Sequence, residues 1–380
     1  MQFEPNDADL RITELARSAA RDHLAPRAMQ TDAGVFPAEN IGALGSIGLL
    51  GIKIDRHYGG LGGSNLAYVL AIRELAAQCA STTVAVAVTN MVADMIARFG
   101  TDDQKVRHLR NLVSGAYQAG SFALSEPGAG SDAASLQTRA ERRGDDWVLN
   151  GTKLWITSGD VAGVTLVMAK TDPGKGGRGI TAFLVEPGTA GFSVGRHEEK
   201  LGLLGSSTVS LAFEDVVVPD AARIGAVGQG FEIAMTALDG GRCGIGAQAS
   251  GMGYTALRET SRILSARAGQ DKALGTDQNA QFRLADMAVR LDAAWLLVQR
   301  AAWLRDQGSK MTKEAAMAKV AASEAANFAC QTAMQLAGPD AFDAGSTIAR
   351  VWRDVRVSRI YEGTSEIQRL VIARSLAAAL

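Results

Sequence analysis

At 380 residues, the chain is longer than the roughly 250–300 residues at which one hydrophobic core stops growing, so two or three packed units are expected. Its 39 Lys and Arg residues balance 40 Asp and Glu residues, and the net charge of −1 gives no electrostatic footprint for nucleic acid or an anionic membrane. Because no apolar run approaches the ~18 residues of a membrane span and the N-terminus is acidic, unlike a signal peptide, a soluble cytoplasmic protein is expected.

The first third of the chain has the pattern of helices. Ala- and Leu-rich stretches with helical spacing predict helices over residues 7–31, 38–50, 65–79 and 82–99. Pro26, Pro37 and the glycines between residues 59 and 63 interrupt them. Thr101 and Gln104 have the spacing of a capping box, so a further helix is expected to start there and to run to about residue 114.

The middle third changes to short β-branched and aromatic runs, and the last third returns to helical spacing. The runs predict strands over residues 147–149, 154–157, 164–169, 180–185, 207–213 and 216–218. Helices are expected over residues 231–266, 278–306, 311–336, 346–359 and 365–378. The sequence therefore predicts an α+β multidomain protein, with a helical domain over 1–117, a β domain over 118–226 and a helical bundle over 227–380.

Several common motifs are absent or misleading. Residues 174–179 spell GxGxxG, but a strand rather than a helix is predicted to follow, so this stretch is interpreted as a hairpin loop and no Rossmann unit is expected. The GxGxxA matches beginning at Gly244 and Gly251 are interpreted as helix-packing glycines. Three widely spaced cysteines, without HExxH, paired CxxC or GxSxG, indicate no metal site, disulfide framework or serine hydrolase.

The stretch IYEGTSEIQRLVIAR, residues 360–374, carries a candidate catalytic carboxylate. Glu362 precedes the permissive Gly363, and residues 365–368 have the pattern of a capping box that opens a helix. That helix could bury one apolar face, formed by Ile367, Leu370, Val371 and Leu376. A carboxylate held just before a helix can act as a general base, and a solvated glutamate ahead of a cap is the alternative.

Two segments of the β domain could form a pocket. SFALSEPGAGSD, residues 121–132, predicts a strand that runs into a loop in which glycines allow close backbone approach and serines add hydroxyl donors. NGTKLWITSG, residues 150–159, predicts a turn and a strand in which Trp155 and Thr157 face the same side. An indole beside a hydroxyl can cover a flat heteroaromatic ring, so the two segments together indicate a flavin pocket.

These segments resemble the acyl-CoA dehydrogenase family along nearly the whole chain. ALSEPGAGSD, LNGTKLWITSG, residues 200–219, GQGFEIA, QFRLADMA and IYEGTSEIQRLVIAR occur in that family's order and spacing. The resemblance implies an N-terminal helical domain, a central β-barrel-like domain and a C-terminal four-helix bundle. It also implies FAD bound between the β domain and the bundle, in a homotetramer built as a dimer of dimers.

The resemblance also assigns site residues. It implies FAD contacts from Leu124, Ser125, Gly130, Ser131, Trp155, Ile156, Thr157, Arg267, Gln278, Gln335, Gly338, Thr364, Ser365 and Glu366. It implies substrate contacts from Ser131, Asn90, Asp239, Arg242, Tyr361 and Gly363. Glu362 would be the base that removes the α proton while hydride leaves the β carbon for flavin N5, and its backbone N–H would bind the thioester carbonyl. Some family members place the base where this chain has Gly241.

The chain departs from the family pattern at three places. Leu204 replaces an Arg in the LGxRxS stretch, and Pro339 replaces the second Gly of QxxGG. In the ERxxFG segment, whose Arg and Phe reach the neighbouring subunit's FAD in that family, Arg267 is kept and Gln270 replaces the Phe. Because proline has no backbone N–H to donate, the adenine end of FAD is expected to be held differently, or a partner in a heteromer supplies the contacts.

Substrate and partners are expectations from the same resemblance. Residues 82–96 match the helix that closes the acyl pocket and carry no Arg or Lys, which disfavours dicarboxyl substrates. A short or branched saturated acyl-CoA, as in the isobutyryl-CoA dehydrogenase subgroup, is expected to become the trans-2-enoyl-CoA, with electrons passed to an electron-transfer flavoprotein. The alternatives are a carrier-protein thioester, a flavin-poor subunit of a heteromer, and a flavin oxidase or other non-dehydrogenase flavoprotein of the same fold.

Overall fold

The computed structural model describes residues 4–270, 277–343 and 345–378, apart from the side chains of residues 268–270. The described chain begins with six α-helices, continues through a β-sheet and ends in long α-helices. This order confirms the predicted fold class. The breaks between the three parts fall between residues 114 and 119 and between residues 224 and 230.

The N-terminal part contains α1 (Asp7–Ala19), α2 (Ala25–Asp32), α3 (Ala38–Ser46), α4 (Asn65–Ala76), α5 (Ala80–Phe99) and α6 (Asp102–Ser114). Thr101 and Gln104 form the predicted capping box. Pro26 does not end the first helix as expected, because a π-helical turn over Ala20–Leu24 precedes it and places the proline in the first turn of α2.

The middle part is one eight-stranded sheet. Its strands are β1 (Ala119–Ala123), β2 (Arg139–Arg143), β3 (Asp146–Thr157), β4 (Ala162–Lys170), β5 (Ile180–Val185), β6 (Phe192–His197), β7 (Thr208–Pro219) and β8 (Arg223–Ile224). The order is β6-β7-β3-β2-β4-β5-β8, and β1 pairs in parallel with β4. The GxGxxG stretch joins the antiparallel strands β4 and β5, which confirms the hairpin interpretation.

The C-terminal part contains α7 (Gly230–Gln270), α8 (Gln278–Asp306), α9 (Thr312–Ala337), α10 (Thr347–Val355) and α11 (Ser365–Ala377). One hydrophobic cluster joins α1, α4 and α5 to α7, α8 and α9, and a second joins α5 and α6 to the sheet. Helix α5 therefore lies where the three parts meet. It is apolar and long enough to cross a membrane by composition, but 94% of its most apolar window is buried, as in a core helix.

Candidate active site

Glu362 and Gly363 form a left-handed corner between α10 and α11. Their φ angles are +52° and +93°, a region that a non-glycine residue adopts only at a cost of roughly 1–2 kcal/mol. Glycine suits the left-handed backbone at position 363, and a Cβ there would lie 2.4 Å from Gln368 Nε2 and displace that side chain. The base predicted from the sequence therefore projects from a backbone that the surrounding structure must hold in place.

The helix that follows begins at Ser365, as predicted, but its N-cap lies one residue earlier than the capping-box pattern predicts. Thr364, not Ser365, is the N-cap, and its hydroxyl accepts from the Ile367 N–H at 3.3 Å. The predicted capping box is therefore wrong, because Gln368 is used differently: its Nε2 donates to the carbonyl oxygens of Glu362 and Gly363, each at 3.1 Å. The prediction that α11 buries an apolar face is also wrong for the single chain, because Leu370 and Leu376 are 49% and 55% exposed.

The Glu362 carboxylate is desolvated on one side. Its Oε2 atom is buried and has no hydrogen-bond partner among the described residues. It lies against α7 at Gly241, where an added Cβ would be 1.9 Å away. Burial raises the pKa of Glu362 to about 7, although the positive charges of Lys319 and Arg242 oppose the rise. The space that a side chain at position 241 would need is thus filled by this carboxylate.

Three of the residues expected to contact substrate surround this corner. The Nη1 atom of Arg242 donates to Asp239 at 2.6 Å, and Asp239 also accepts from the Thr312 hydroxyl at 2.6 Å. Arg242 is nearly fully buried, and its Nε atom has no partner among the described residues. The Tyr361 hydroxyl donates to Gln248. Helices α7 and α9 and the corner before α11 therefore bring these groups together.

Asn90 has a structural role. It is buried on α5, its Oδ1 accepts from the Ile52 N–H at 2.8 Å, and its Nδ2 donates to the carbonyl oxygens of Leu49 and Val86, each at 3.0 Å. Both of its donor hydrogens are used inside the fold. The substrate contact expected of Asn90 is therefore not supported, because no donor of its side chain is free.

The loop of the ALSEPGAGSD segment is fixed to β3 by a buried ion pair. Lys153 Nζ lies 2.7 Å from Glu126 Oε1 and 3.1 Å from the Leu124 carbonyl oxygen. Glu126 also accepts from the Thr138 N–H at 3.0 Å, and the Leu154 N–H donates to the Ser125 carbonyl at 2.9 Å. Burial lowers the pKa of Lys153 to about 8, and Glu126 opposes this shift. Sequence reasoning missed the pair, although both residues stand inside the two segments that it singled out.

Trp155 is presented at the surface by a bulge. The pairing of β3 with β7 shifts between Lys153 and Ile156, and Trp155 has a φ of +60° and is 59% exposed. Ile156 is buried, whereas Thr157 is half-buried and its carbonyl accepts from the Ser121 hydroxyl at 2.8 Å. A large indole held outward by a strained strand fits a site for a flat ring.

The neighbouring loop leaves room for that ring. A Cβ at Gly128 or Gly130 would meet nothing within 4 Å, and Ser131 is exposed while Leu124 is buried beneath. At the corner before α11, Ser365 has a buried hydroxyl without a partner among the described residues, and Glu366 is exposed. These residues fit the flavin end of FAD.

The residues expected at the adenine end lie elsewhere. Arg267 donates to the carbonyl oxygens of Leu336 and Ala337 and forms an ion pair with Asp340 at 2.8 Å. Gly338 has a φ of +57° and open space around it. Along α7, Arg267 lies 25 residues beyond Arg242, or roughly 38 Å at 1.5 Å per residue. This group is therefore too far away to serve the Glu362 corner of its own chain.

The other two adenine-end residues are at the surface. Gln335 is exposed and accepts from Arg283, and Gln278 is exposed at the first residue of α8. The expectation about Gln270 falls on a side chain outside the described residues.

Comparisons with known proteins cover almost the whole chain. Models of the acyl-CoA dehydrogenase N-terminal, middle and C-terminal domains match residues 6–116, 121–216 and 228–377. The chain is 41% identical to acryloyl-CoA reductase (NADH) of Anaerotignum propionicum, over 99% of this chain and 96% of the relative. It is 44% identical to the mitochondrial short-chain specific acyl-CoA dehydrogenase of Homo sapiens, over 96% of this chain and 89% of the relative. The solved butyryl-CoA dehydrogenase of Megasphaera elsdenii superposes with a TM-score of 0.96 at 39% identity, covering 99% of this chain and 100% of that one.

Proposed function

The chain belongs to the acyl-CoA dehydrogenase family and is an FAD-dependent oxidoreductase, and on that premise we propose that it oxidises a short or branched saturated acyl-CoA to the trans-2-enoyl-CoA. The observation that carries the proposal is the Glu362 carboxylate, buried against Gly241 with a pKa raised to about 7. A base with that pKa is ionised in a substantial fraction of molecules near neutral pH and still holds a proton well. When bound, FAD supplies the acceptor for the hydride that leaves the β carbon.

The residues of this chain have separate roles in that reaction. Glu362 would take the α proton, and an acyl chain packed against it would exclude the remaining water and raise its basicity further. Its backbone N–H would donate to the thioester carbonyl, a contact of the kind whose loss costs on the order of 3–4 kcal/mol. Arg242 and Asp239, joined at 2.6 Å, would line the approach to this point. Trp155, Thr157 and Ser131 would cover and bind the flavin end of FAD.

A short acyl chain is supported by how the face of α7 is filled. Added Cβ atoms at Gly240 and Gly244 would lie 2.3 Å from Arg305 Nη1 and 2.5 Å from the Tyr68 hydroxyl. Side chains of the protein thus occupy the space beside the carboxylate. The Homo sapiens and Megasphaera elsdenii relatives, a short-chain specific acyl-CoA dehydrogenase and a butyryl-CoA dehydrogenase, agree with this.

A monocarboxylic acyl group is supported by the charges around α5. Asp94 forms ion pairs with Lys53 at 2.8 Å, Arg98 at 2.9 Å and Arg305 at 3.0 Å, so the nearby cations already share a buried carboxylate. These charges hold the pKa of Asp94 well below its usual range despite its burial. A second carboxylate on the substrate would compete with Asp94 for these cations.

Self-association is supported by two features. Arg267 can reach an FAD at a Glu362 corner only in another copy, because of the length of α7. Phe282, Val289 and Leu296 are spaced seven residues apart along α8 and are each more than half exposed, which forms an apolar stripe suited to helix packing between copies. We therefore expect a homotetramer, and a molar mass of one chain in solution would contradict this.

A panel of acyl thioesters tests the function directly. Purified protein should be yellow with about one FAD per chain, and anaerobic addition of butyryl-CoA or isobutyryl-CoA should bleach the oxidised flavin faster than glutaryl-CoA or an acyl-carrier-protein thioester. Electron-transfer flavoprotein should reoxidise it faster than oxygen does. Bleaching by none of these thioesters would refute the proposal. Stoichiometric hydrogen peroxide would indicate an oxidase, and a colourless chain that gains activity only with a partner would indicate a heteromer subunit.

A further inference from the structure

Lys319 is a fully buried lysine on α9 whose ammonium group reaches the catalytic corner. Its Nζ atom donates to the Gly363 carbonyl oxygen at 2.7 Å, and among the described residues it has no carboxylate within ion-pair distance. A lysine is almost never fully buried without a specific partner. We propose that Lys319 is a positioning residue which, together with Gln368, holds the left-handed Glu362–Gly363 corner so that the Glu362 carboxylate stays aimed at the bound acyl group. This inference rests on the proposed function.

The hydrogen bonds explain how the corner is held. Gln368 is fully buried on α11 and donates to the carbonyl oxygens of both Glu362 and Gly363, at 3.1 Å each. Lys319 reaches the second of these oxygens from α9 on the other side. In a trans peptide the carbonyl and the following N–H point in opposite directions, so anchoring these oxygens fixes both peptide planes. Two helices thus stabilise a conformation that Glu362 would not adopt alone.

Lys319 also supplies charge to the site. The groups that act electrostatically on Glu362 are Lys319 from α9 and Arg242 from α7. Burial, together with the charge of Glu362, raises the pKa of the buried Tyr68 hydroxyl of α4. Arg242 is already paired with Asp239, whereas Lys319 is bound only by a neutral carbonyl. Its charge is therefore the less compensated of the two. Burial lowers the pKa of Lys319 to about 8. The negative charge of the Glu362 carboxylate is the strongest influence that opposes this shift.

The test uses the FAD-bound enzyme and three variants. Lys319→Met removes the ammonium group and keeps the length of the side chain. Gln368→Met removes two of the three hydrogen bonds to the corner and no charge. Ser323→Ala is the matched control, because Ser323 is buried one turn further along α9 and bonds only the Val320 carbonyl of its own helix. For each, anaerobic flavin reduction is followed against pH with the thioester that reduces the parent fastest, and kcat and KM are measured.

Lys319→Met should lower the reduction rate and kcat by about 10- to 100-fold, the range for loss of a hydrogen bond from a charged donor, with KM changed by less than about threefold. Its pH midpoint should move to higher pH, because a cation that favours the ionised carboxylate is gone. Gln368→Met should lower the rate without moving the midpoint, and Ser323→Ala should change neither.

An FAD-bound Lys319→Met variant with the parent's rate and pH midpoint would overturn the inference. If that variant does not fold, the test is made with Gln368→Met. A Gln368→Met variant with the parent's rate would overturn the proposal that these hydrogen bonds hold the corner. A parent that no thioester reduces would refute the proposed function instead, so the two failures are distinguishable.

Discussion

Replacing Gly241 with alanine should disable the enzyme without disturbing its fold. The added Cβ would lie 1.9 Å from Glu362 Oε2 and 2.6 Å from its Cδ, whereas ordinary contact begins at 3.4 Å. The carboxylate must therefore move by the difference, about 1.5 Å, in a packed interior that yields little. Because a misplacement of about 1 Å can cost roughly 100-fold in rate, we expect flavin reduction to slow by about that factor or more.

The assay is anaerobic rapid mixing with saturating acyl-CoA, and the control is Gly42→Ala. Gly42 is an exposed glycine within α3 where a Cβ would meet nothing within 4 Å, so alanine there should stabilise the protein by about 0.5–1 kcal/mol and leave the rate unchanged. In a Glu362→Ala background, Gly241→Ala should stabilise the protein about as much as Gly42→Ala does, because the carboxylate that would clash with the added Cβ is gone. A parental rate in Gly241→Ala would refute the placement of the carboxylate against α7.

The pH dependence of the parent enzyme should show the ionisation of Glu362. Because Glu362 is a base only when ionised and its pKa is about 7, kcat/KM should rise with pH through the neutral range, and a flat profile would contradict this. Lys153→Met leaves Glu126 buried without its cation, which should cost about 3–5 kcal/mol of stability and reduce the FAD content of the purified protein. Full FAD content in a folded Lys153→Met variant would show that the ion pair does not hold the flavin loop. Asp340→Asn removes the carboxylate partner of Arg267 but keeps its bonds to the Leu336 and Ala337 carbonyls, so more of its charge is available to FAD. FAD should then survive buffer exchange better, by no more than about fivefold because the pair is partly exposed, and equal FAD loss would place Arg267 away from the cofactor.

Residue patterns that extend over many residues were strong enough to predict the fold. The three long C-terminal helices repeat helical spacing over many turns, and their predicted bounds lie within a few residues of the observed ones. The missed strands are β2, β6 and the two-residue β8, and of these β2 and β6 carry charged or exposed residues and lack the alternation that marks a half-buried strand. Strands β2 and β6 each pair with the strand that follows in the chain, β3 and β7, so their strand structure depends on that pairing rather than on their own residue pattern.

Only the part of the candidate site that is formed by residues adjacent in the sequence could be predicted. Glu362 and Gly363 are adjacent, so the pattern of a carboxylate beside glycine could be recognised. The residues that hold this corner could not be found that way: Lys319 stands in an Ala-rich helix with no local signal, and Gln368 was assigned to a capping box. That Arg267 reaches the FAD of a neighbouring subunit is implied by the resemblance and not by any local pattern, and the length of α7 between Arg242 and Arg267 agrees with this prediction.

The most direct test of the account is anaerobic flavin reduction in the Glu362→Gln variant. Glutamine keeps the size and hydrogen-bonding shape of the side chain but cannot take the α proton, so the variant should retain FAD and acyl-CoA binding. Its flavin reduction should fall by about 10²- to 10⁴-fold, the usual contribution of a general base. A variant that binds both ligands and still reduces its flavin at more than about a tenth of the parent rate would contradict the assignment of Glu362 as the base.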